Sequence, residues 1–426
     1  MATPATPMHT TSSHTATIDE VITTVIMARV TDYFGFFVYA IASALVFPKL
    51  FFPMFDPITG TLVSFSLFSV AFLARPVASY LARSVERKVG RAAKVTLALM
   101  ILGSSTVAIG LLPGYAQIGW LAPGLLAVLR VLQGVGLGGA WDGITLQLQN
   151  AAPAGRKGLY AMVPQLGGPI GFCVAGSLFY VLTGFLTEEE FIKWGWRFAF
   201  FGVMAVNVVS LFAKLRLLTT DFGADETIAT PSPYFETIRT QWRPILLATF
   251  TPLASYALFH MVTVFPLGYE ALYSGGPISD ILLLELIGGA LAIVSVILSG
   301  ILADRYGARW VRWVSTAMIP ILCLTIGTLR EHPGIYIIFG FVLLGFSHGQ
   351  AGAVSASRFP PEYRYTASAI AIHLAWIVGA AFAPLVGLAL TVSFGVGAAA
   401  LYLLSGVIVT CTTLYLVQAG ERREAG

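Results

Sequence analysis

Five kinds of side chain that could do chemistry sit where hydrocarbon-soluble residues are expected. Arg29 and Asp32 lie three residues apart, so on a helix they share one face and can neutralise each other. Two readings follow: a proton-sensitive acid tuned by its neighbour, or an ion pair that lets both charges survive among apolar residues. Arg130 and Gln133, in RVLQG, are also one helical turn apart, and a guanidinium there can hold a carboxylate bidentately. Arg75 stands inside another apolar run and is either functional or a residue whose head reaches the lipid headgroups. Glu285, in LLLELIGGA, has no charged neighbour; a carboxyl alone in hydrocarbon favours its protonated form, as a proton carrier must. His260, His348 and His373 titrate near neutrality and suit a proton switch, but each is equally a packing histidine. No pair of them has metal-ligand spacing, so neither a metal site nor a cofactor is expected.

The elements that must carry these residues are apolar blocks. Hydrophobic residues make up 57% of the 426, charged ones 11%, and mean hydropathy is +0.80. A soluble domain carries about 25% charged residues, so this chain cannot cover a water-facing surface. Runs of about 20 apolar residues, enough to cross a bilayer as helix, fall near 21–46, 61–81, 95–112, 121–148, 160–182, 196–213, 245–267, 281–302, 311–329, 334–354, 368–390 and 396–417. The expected fold is an all-α membrane protein of twelve transmembrane helices. Cys173, Cys323 and Cys411 all lie within these runs and read as packing residues rather than a disulfide framework. Residues 1–20, Thr-, Ser- and Pro-rich at the start, read as a disordered tail.

Charge gives an orientation. With the N-terminus placed in the cytoplasm, 18 of the 25 Lys and Arg residues fall in inner loops. Four (Lys49, Lys193, Arg197 and Arg330) fall in outer ones, and three (Arg29, Arg75 and Arg130) lie within spans. That bias places both termini in the cytoplasm. The basic residues are spread along the loops rather than gathered on one face, so no nucleic-acid partner is expected.

The longest polar stretch between spans, 214–243, separates six spans from six. The expected layout is a six-helix bundle over 21–213, a linker over 214–243, a second bundle over 244–417 and a tail over 418–426. Internal similarity supports two pseudo-symmetric halves: VERKVGR matches ADRYGAR with Gly90 on Gly307, and GRKGLYAMVPQ matches YRYTASAIAIH. The second register sets Gln165 against His373 and Ala140 against His348. Repeated halves with a site between them are a transporter arrangement.

Seven segments in order carry a family resemblance: FFVYAIASALVFPKLFFPMFDPITGTL (36–62), AFLARP (71–76), RVLQGVGLGG (130–139), VPQLGGPIG (163–171), WGWRFAF (194–200), GILADRYGAR (300–309) and RFPPEYRYTAS (358–368). They resemble the major facilitator superfamily and, within it, the metabolite–proton symporters of proline and betaine, α-ketoglutarate, citrate or shikimate. The resemblance implies a substrate site built from Arg29, Arg130, Gln133, Gln165 and His373, with Asp32, Glu285, His260 and His348 handling protons. It implies an inner gate made by Gly300, Asp304, Arg305, Gly307 and Arg309, with Arg75 and Asp142 beside it. The chain departs from the family pattern where Gly35, Ala140, Ser357 and His373 replace residues the family usually carries, and where Arg83 and Arg87 stand in place of Gly and Asp in the first-half loop.

No P-loop, nucleophile elbow, His-rich box or selectivity-filter sequence is present, so an ATP-driven pump, a membrane enzyme and a channel are all disfavoured. The expectation is a monomeric secondary transporter in the inner membrane. It would carry a small organic acid together with protons, since basic residues outnumber acids in the first-half spans. A zwitterionic osmolyte as substrate, or export of a small metabolite or drug, are the alternatives.

Overall fold

Apolar runs this long can satisfy their backbone inside lipid only as helices, and helices are what form. The computed structural model describes residues 18–140, 143–218, 231–352 and 358–425. Twelve spans follow one another among the described residues: α1 (Ile18–Leu45), α2 (Pro57–Val89), α3 (Arg91–Leu111), α4 (Leu121–Gly139), α5 (Lys157–Phe185) and α6 (Arg197–Leu218), then α7 (Tyr234–Phe250 with Leu253–Tyr273), α8 (Ile278–Tyr306), α9 (Ala308–Leu324), α10 (Pro333–His348), α11 (Pro361–Phe394) and α12 (Ala400–Ala425). Among the described residues, nine helices are long and apolar enough to cross a bilayer by themselves, and α7 is a tenth span bent by 43°. The bend falls at Pro252, which has no N–H to donate to the ladder. The remaining two, α9 and α10, are 17 and 16 residues long.

Spans nine and ten stop five and six residues short of their apolar runs, whereas spans two, five, seven, eight and eleven outrun theirs by three or more residues at both ends. Span four also stops short. The expected 121–148 stops at Gly139, and Gly143, at φ +72°, cannot continue a right-handed helix, so Ile144–Asn150 forms a separate short one. At the opposite boundary of the first half, α6 continues past residue 213 to Leu218. Residues 1–17, Asp142 and Ser357 lie outside the described residues.

The two six-helix bundles repeat one packing pattern. In the first, α1 lies against α5 and α6, and α4 against α2 and α3. In the second, α7 lies against α11 and α12, and α10 against α8 and α9. Gly90 and Gly307, at φ +86° and +91°, end α2 and α8 in the same way. The bundles meet along α5–α8, α2–α11 and α1–α7. Because the spans alternate in direction, both described chain ends, Ile18 and Ala425, lie at one end of the molecule, hereafter the near end.

Glycine pairs set the close contacts that carry the central side chains. A Cβ on Gly134 or Gly138 of α4 would come within 2.4 Å of the Ala71 carbonyl oxygen or 2.3 Å of that of Arg75, so the backbones of α2 and α4 touch beside Arg75. In α5, a Cβ on Gly167 or Gly171 would meet Arg29 at 2.4 Å or Tyr33 at 2.7 Å, which seats α1 by the same device.

Candidate functional site

Between the bundles lies a cavity of about 130 Å³ reached by seven spans. From the first half it takes Arg29, Asp32, Tyr33 and Phe36 of α1, Arg75 of α2, Gln165 of α5 and Lys214 of α6; from the second, Tyr256 of α7 and His373 and Trp376 of α11. Irregular backbone places several of these. Gln165 sits on a 3-10 turn, Val163–Leu166, that Pro164 helps to impose, and Trp376 begins a π-helical segment, Trp376–Ala381. Pro76, immediately after Arg75, interrupts the ladder of α2.

The charges in the cavity are unequal. Among the described residues, three cations, Arg29, Arg75 and Lys214, face one carboxylate, Asp32. Lys214 Nζ lies 3.1 and 3.3 Å from the two Asp32 oxygens, closer than Arg29, whose Nη1 is at 3.6 Å. Arg75 has no salt-bridge partner among the described residues. Its guanidinium instead lies over Phe72 at 4.7 Å, Trp376 at 5.8 Å and Phe36 at 5.9 Å. Rings hold a guanidinium in place without cancelling its charge.

The far side of the cavity is an aromatic plug. Phe36, Phe68, Phe259 and Trp376 surround the His260 ring at 5.2, 5.1, 5.1 and 6.1 Å, and Tyr33 stacks on Phe259 at 5.9 Å. Beyond the plug, Phe65 of α2 fits against Gly268 of α7, and Ser69 donates to the Ala381 carbonyl at 2.6 Å. Contacts between halves also close the near end. The Asp304 carboxylate of α8 accepts from the Gly158 N–H at 2.6 Å and the Leu159 N–H at 3.2 Å, capping the start of α5. Gln350 donates to the Gly158 carbonyl at 3.1 Å, and a Cβ on Gly158 would stand 2.6 Å from the Gly300 carbonyl oxygen. On the other flank Lys94, only 4% exposed, bonds Glu86 at 2.9 Å and approaches the Tyr365 hydroxyl of α11 at 3.4 Å.

The structure brings together Arg29, Asp32, Arg75, Gln165 and His373, which the sequence had singled out separately. It does not bring the others into that cavity, although Arg130 and Gln133 share a small separate pocket with Asp32. The expectation that Arg130 and Gln133 face a substrate meets a different geometry: Arg130 is 1% exposed and turned into the first bundle. It donates to the Phe68 carbonyl from Nε at 3.3 Å and Nη2 at 3.0 Å and to Gln133 at 3.0 Å, and its guanidinium lies 3.7 Å from the Tyr39 ring centroid. Gln133 passes the chain of bonds on to Thr106 at 2.8 Å. These donors are occupied by the bundle itself.

Glu285 is fully buried on α8, lines none of the cavities described here, and neither carboxyl oxygen has a hydrogen-bond partner among the described residues. His260 lies within the plug, its Nδ1 3.4 Å from the Thr263 hydroxyl oxygen. His348 packs against Phe259 and Tyr256 beside a second, much smaller cavity. Neither lines the central cavity. Arg75 lines that cavity rather than the near-end gate. Of the other gate residues, Arg305 lies over Tyr306, and Arg309 pairs with Glu421 of α12. Asp142 lies outside the described residues. Lys214 is the cavity residue that sequence reasoning does not single out: it falls just past the apolar run ending at 213, at the start of the expected linker, yet it lines the cavity and is 3% exposed. The signal was LFAKLRLL, whose apolar residues continue on the far side of the lysine.

A family profile described as Major Facilitator Superfamily matches residues 15–384. The chain belongs to the major facilitator superfamily. It is a multi-pass membrane transporter of the secondary type, not an enzyme. It is 35% identical over 411 residues to the inner membrane metabolite transport protein YhjE of Escherichia coli (strain K12), covering 93% of both chains. It is 28% identical over 406 residues to the shikimate transporter of the same organism, covering 92% of this chain and 93% of that one. The crystal structure of a D-xylose-proton symporter superposes with a TM-score of 0.71 over 94% of this chain and 97% of that one, at 15% identity, a likeness of fold alone.

Proposed function

We propose that this transporter carries a small carboxylate inward with protons, by alternating access, across the inner membrane, with both termini in the cytoplasm. One observation carries the reading: a cavity between the bundles where, among the described residues, three cations, Arg29, Arg75 and Lys214, face one carboxylate, Asp32. A site with excess positive charge and low-dielectric walls attracts anions and discriminates against cations. Gln165 and His373, on opposite sides of the cavity, supply polar contacts, and Tyr33, Tyr256 and Trp376 supply a flat apolar wall for the body of the substrate. The shikimate of the E. coli relative's name is itself a ring carboxylate. The near-end location of most loop Lys and Arg residues supports the orientation.

Moving a bare negative charge through the membrane is costly, so a proton travelling with it favours the inward step. Asp32 is the acid placed to take that proton, because it is the carboxylate that lines the cavity among the described residues. The caps on the two faces then alternate. Asp304 and its contacts with α5 hold the near end shut, and the Phe65–Gly268 and Ser69–Ala381 contacts hold the far end.

The test is uptake into proteoliposomes of four labelled carboxylates (benzoate, shikimate, succinate and citrate) and of glycine betaine, with an imposed pH gradient. At least one carboxylate should accumulate when the outside is acid, approaching about tenfold per pH unit for a one-to-one, electroneutral symport. Accumulation of betaine with no carboxylate taken up would favour the osmolyte reading. Uptake indifferent to the gradient would remove proton coupling.

A further inference from the structure

We propose that Lys214 is a shared cation that passes between Asp32 and the carboxylate of the substrate, and that this exchange links proton uptake to substrate binding. The inference rests on the anion reading above and deepens it. Its basis is geometric. Lys214 Nζ is within hydrogen-bond distance of both Asp32 oxygens, and the same nitrogen belongs to a residue lining the central cavity. The side chain is 3% exposed.

A buried ammonium needs an anion, and among the described residues Asp32 supplies it; the carboxylate of a substrate in the cavity is the other. Breaking such a pair without a replacement is strongly unfavourable. When Asp32 takes a proton from water, Lys214 loses its anion and becomes available to the substrate. When the substrate leaves, Lys214 reclaims Asp32, whose proton returns to water. The only covalent bond made and broken is the O–H of Asp32. The ions entering the cavity, one proton and one carboxylate, sum to zero charge.

Lysine suits this role better than either arginine. Its charge sits at the end of a flexible stem with rotatable donors, whereas the Arg75 guanidinium is held over Phe72 and Trp376. Among the described residues, the other charged or titratable groups that line the cavities around Asp32 are Arg29 and Tyr33 of its own helix, Arg75 of α2, Arg130 of α4, Tyr256 of α7 and His373 of α11. Among the described residues that line the cavity, Asp32 is the carboxylate within reach of Lys214.

The sign follows. As pH falls, protonation of Asp32 frees Lys214 and carboxylate affinity rises; by linkage, bound carboxylate promotes proton uptake. The experiment is equilibrium binding of benzoate, shikimate, succinate and citrate to the purified full chain in nanodiscs at pH 6 and pH 8. Wild type should bind its carboxylate more tightly at pH 6. Asp32→Asn imitates the protonated acid, so at pH 8 it should bind about tenfold more tightly than wild type, within the usual range for coupled sites. It should also lose its pH dependence. Lys214→Gln should bind weakly at both pH values, and adding Asp32→Asn to it should restore nothing. Lys214→Arg should keep the pH dependence, which guards against a simple folding defect.

Asp32→Asn binding no more tightly than wild type at pH 8 would overturn the inference while leaving the anion reading in place. The double variant binding as tightly as Asp32→Asn alone would do the same. If wild type binds none of the four carboxylates, the anion reading falls and this inference falls with it.

Discussion

Replacing Asp304 with Asn should loosen the near-end gate. The carboxylate accepts two backbone N–H groups at the start of α5, from a helix in the other half. Hydrogen bonds to a charged group contribute about 1.5–3 kcal/mol each, against about 1 kcal/mol for a neutral one. Asn can supply one neutral acceptor, but it turns an amide N–H towards the second N–H. It also removes the negative charge from a helix N-terminus, a further 0.3–1 kcal/mol or so. Allowing for water entering this part-buried site, the closed state should lose about 2 kcal/mol, about 30-fold in the ratio of closed to open. The assay uses Gln149→Cys, at the near edge of the cavity, with Cys173, Cys323 and Cys411 replaced, and measures its reaction rate with a membrane-impermeant maleimide from the near end. Asp304→Asn should raise that rate by up to this factor. Glu86→Gln should raise it less, since the Glu86 carboxylate bonds Lys94 within its own half. A rate for Asp304→Asn within twofold of the parent would refute the idea that this cap holds the gate. A larger effect from Glu86→Gln would mean that aligning the two loops on Gly90 and Gly307 misassigns the gate.

Three further outcomes follow from the same geometry. Arg130→Lys should lower the melting temperature, through about 1–3 kcal/mol of lost bonding to the Phe68 carbonyl, while leaving carboxylate affinity unchanged; weaker binding at unchanged stability would return Arg130 to the substrate site. Glu285→Gln, the neutral isostere of a protonated acid outside the cavity, should still accumulate substrate against a gradient, whereas loss of accumulation with exchange intact would move the coupling to Glu285. In intact cells, cysteine at Glu189 should label from outside and cysteine at Arg239 should not; labelling of Arg239→Cys would reverse the orientation.

The spans were legible because hydrocarbon demands length and apolarity, and α8, with LLLELIGGALAIVSVILSG at its centre, leaves little choice. So was the pairing of Arg29 with Asp32, since three residues is under one helical turn. Spacing does not say which way a shared face points. Arg130 and Gln133 do lie on one face, but the glycines at 134 and 138 press α4 against α2 and direct that face into the bundle. Lys214 was hidden because a lone charge at the edge of an apolar run looks like the end of the run, and only the packing of α6 against α1 shows it buried beside Asp32. The aromatic plug was out of reach for another reason. Phe36, Phe68, Phe259 and Trp376 come from four spans, and the π-helical segment that aims Trp376 leaves no local sequence signature.

Coupled entry of a carboxylate and a proton is tested most directly by watching the proton. Proteoliposomes containing the full chain and a trapped pH-sensitive dye start with equal pH on both sides, valinomycin and potassium clamping the potential at zero. The four carboxylates are then added outside one at a time. The account predicts that at least one acidifies the lumen at a rate that rises as the common starting pH is lowered, that Asp32→Asn abolishes this acidification, and that Asp32→Asn still exchanges labelled carboxylate. Carboxylate entering wild-type vesicles, shown by its label, with no acidification beyond that of protein-free vesicles would contradict it.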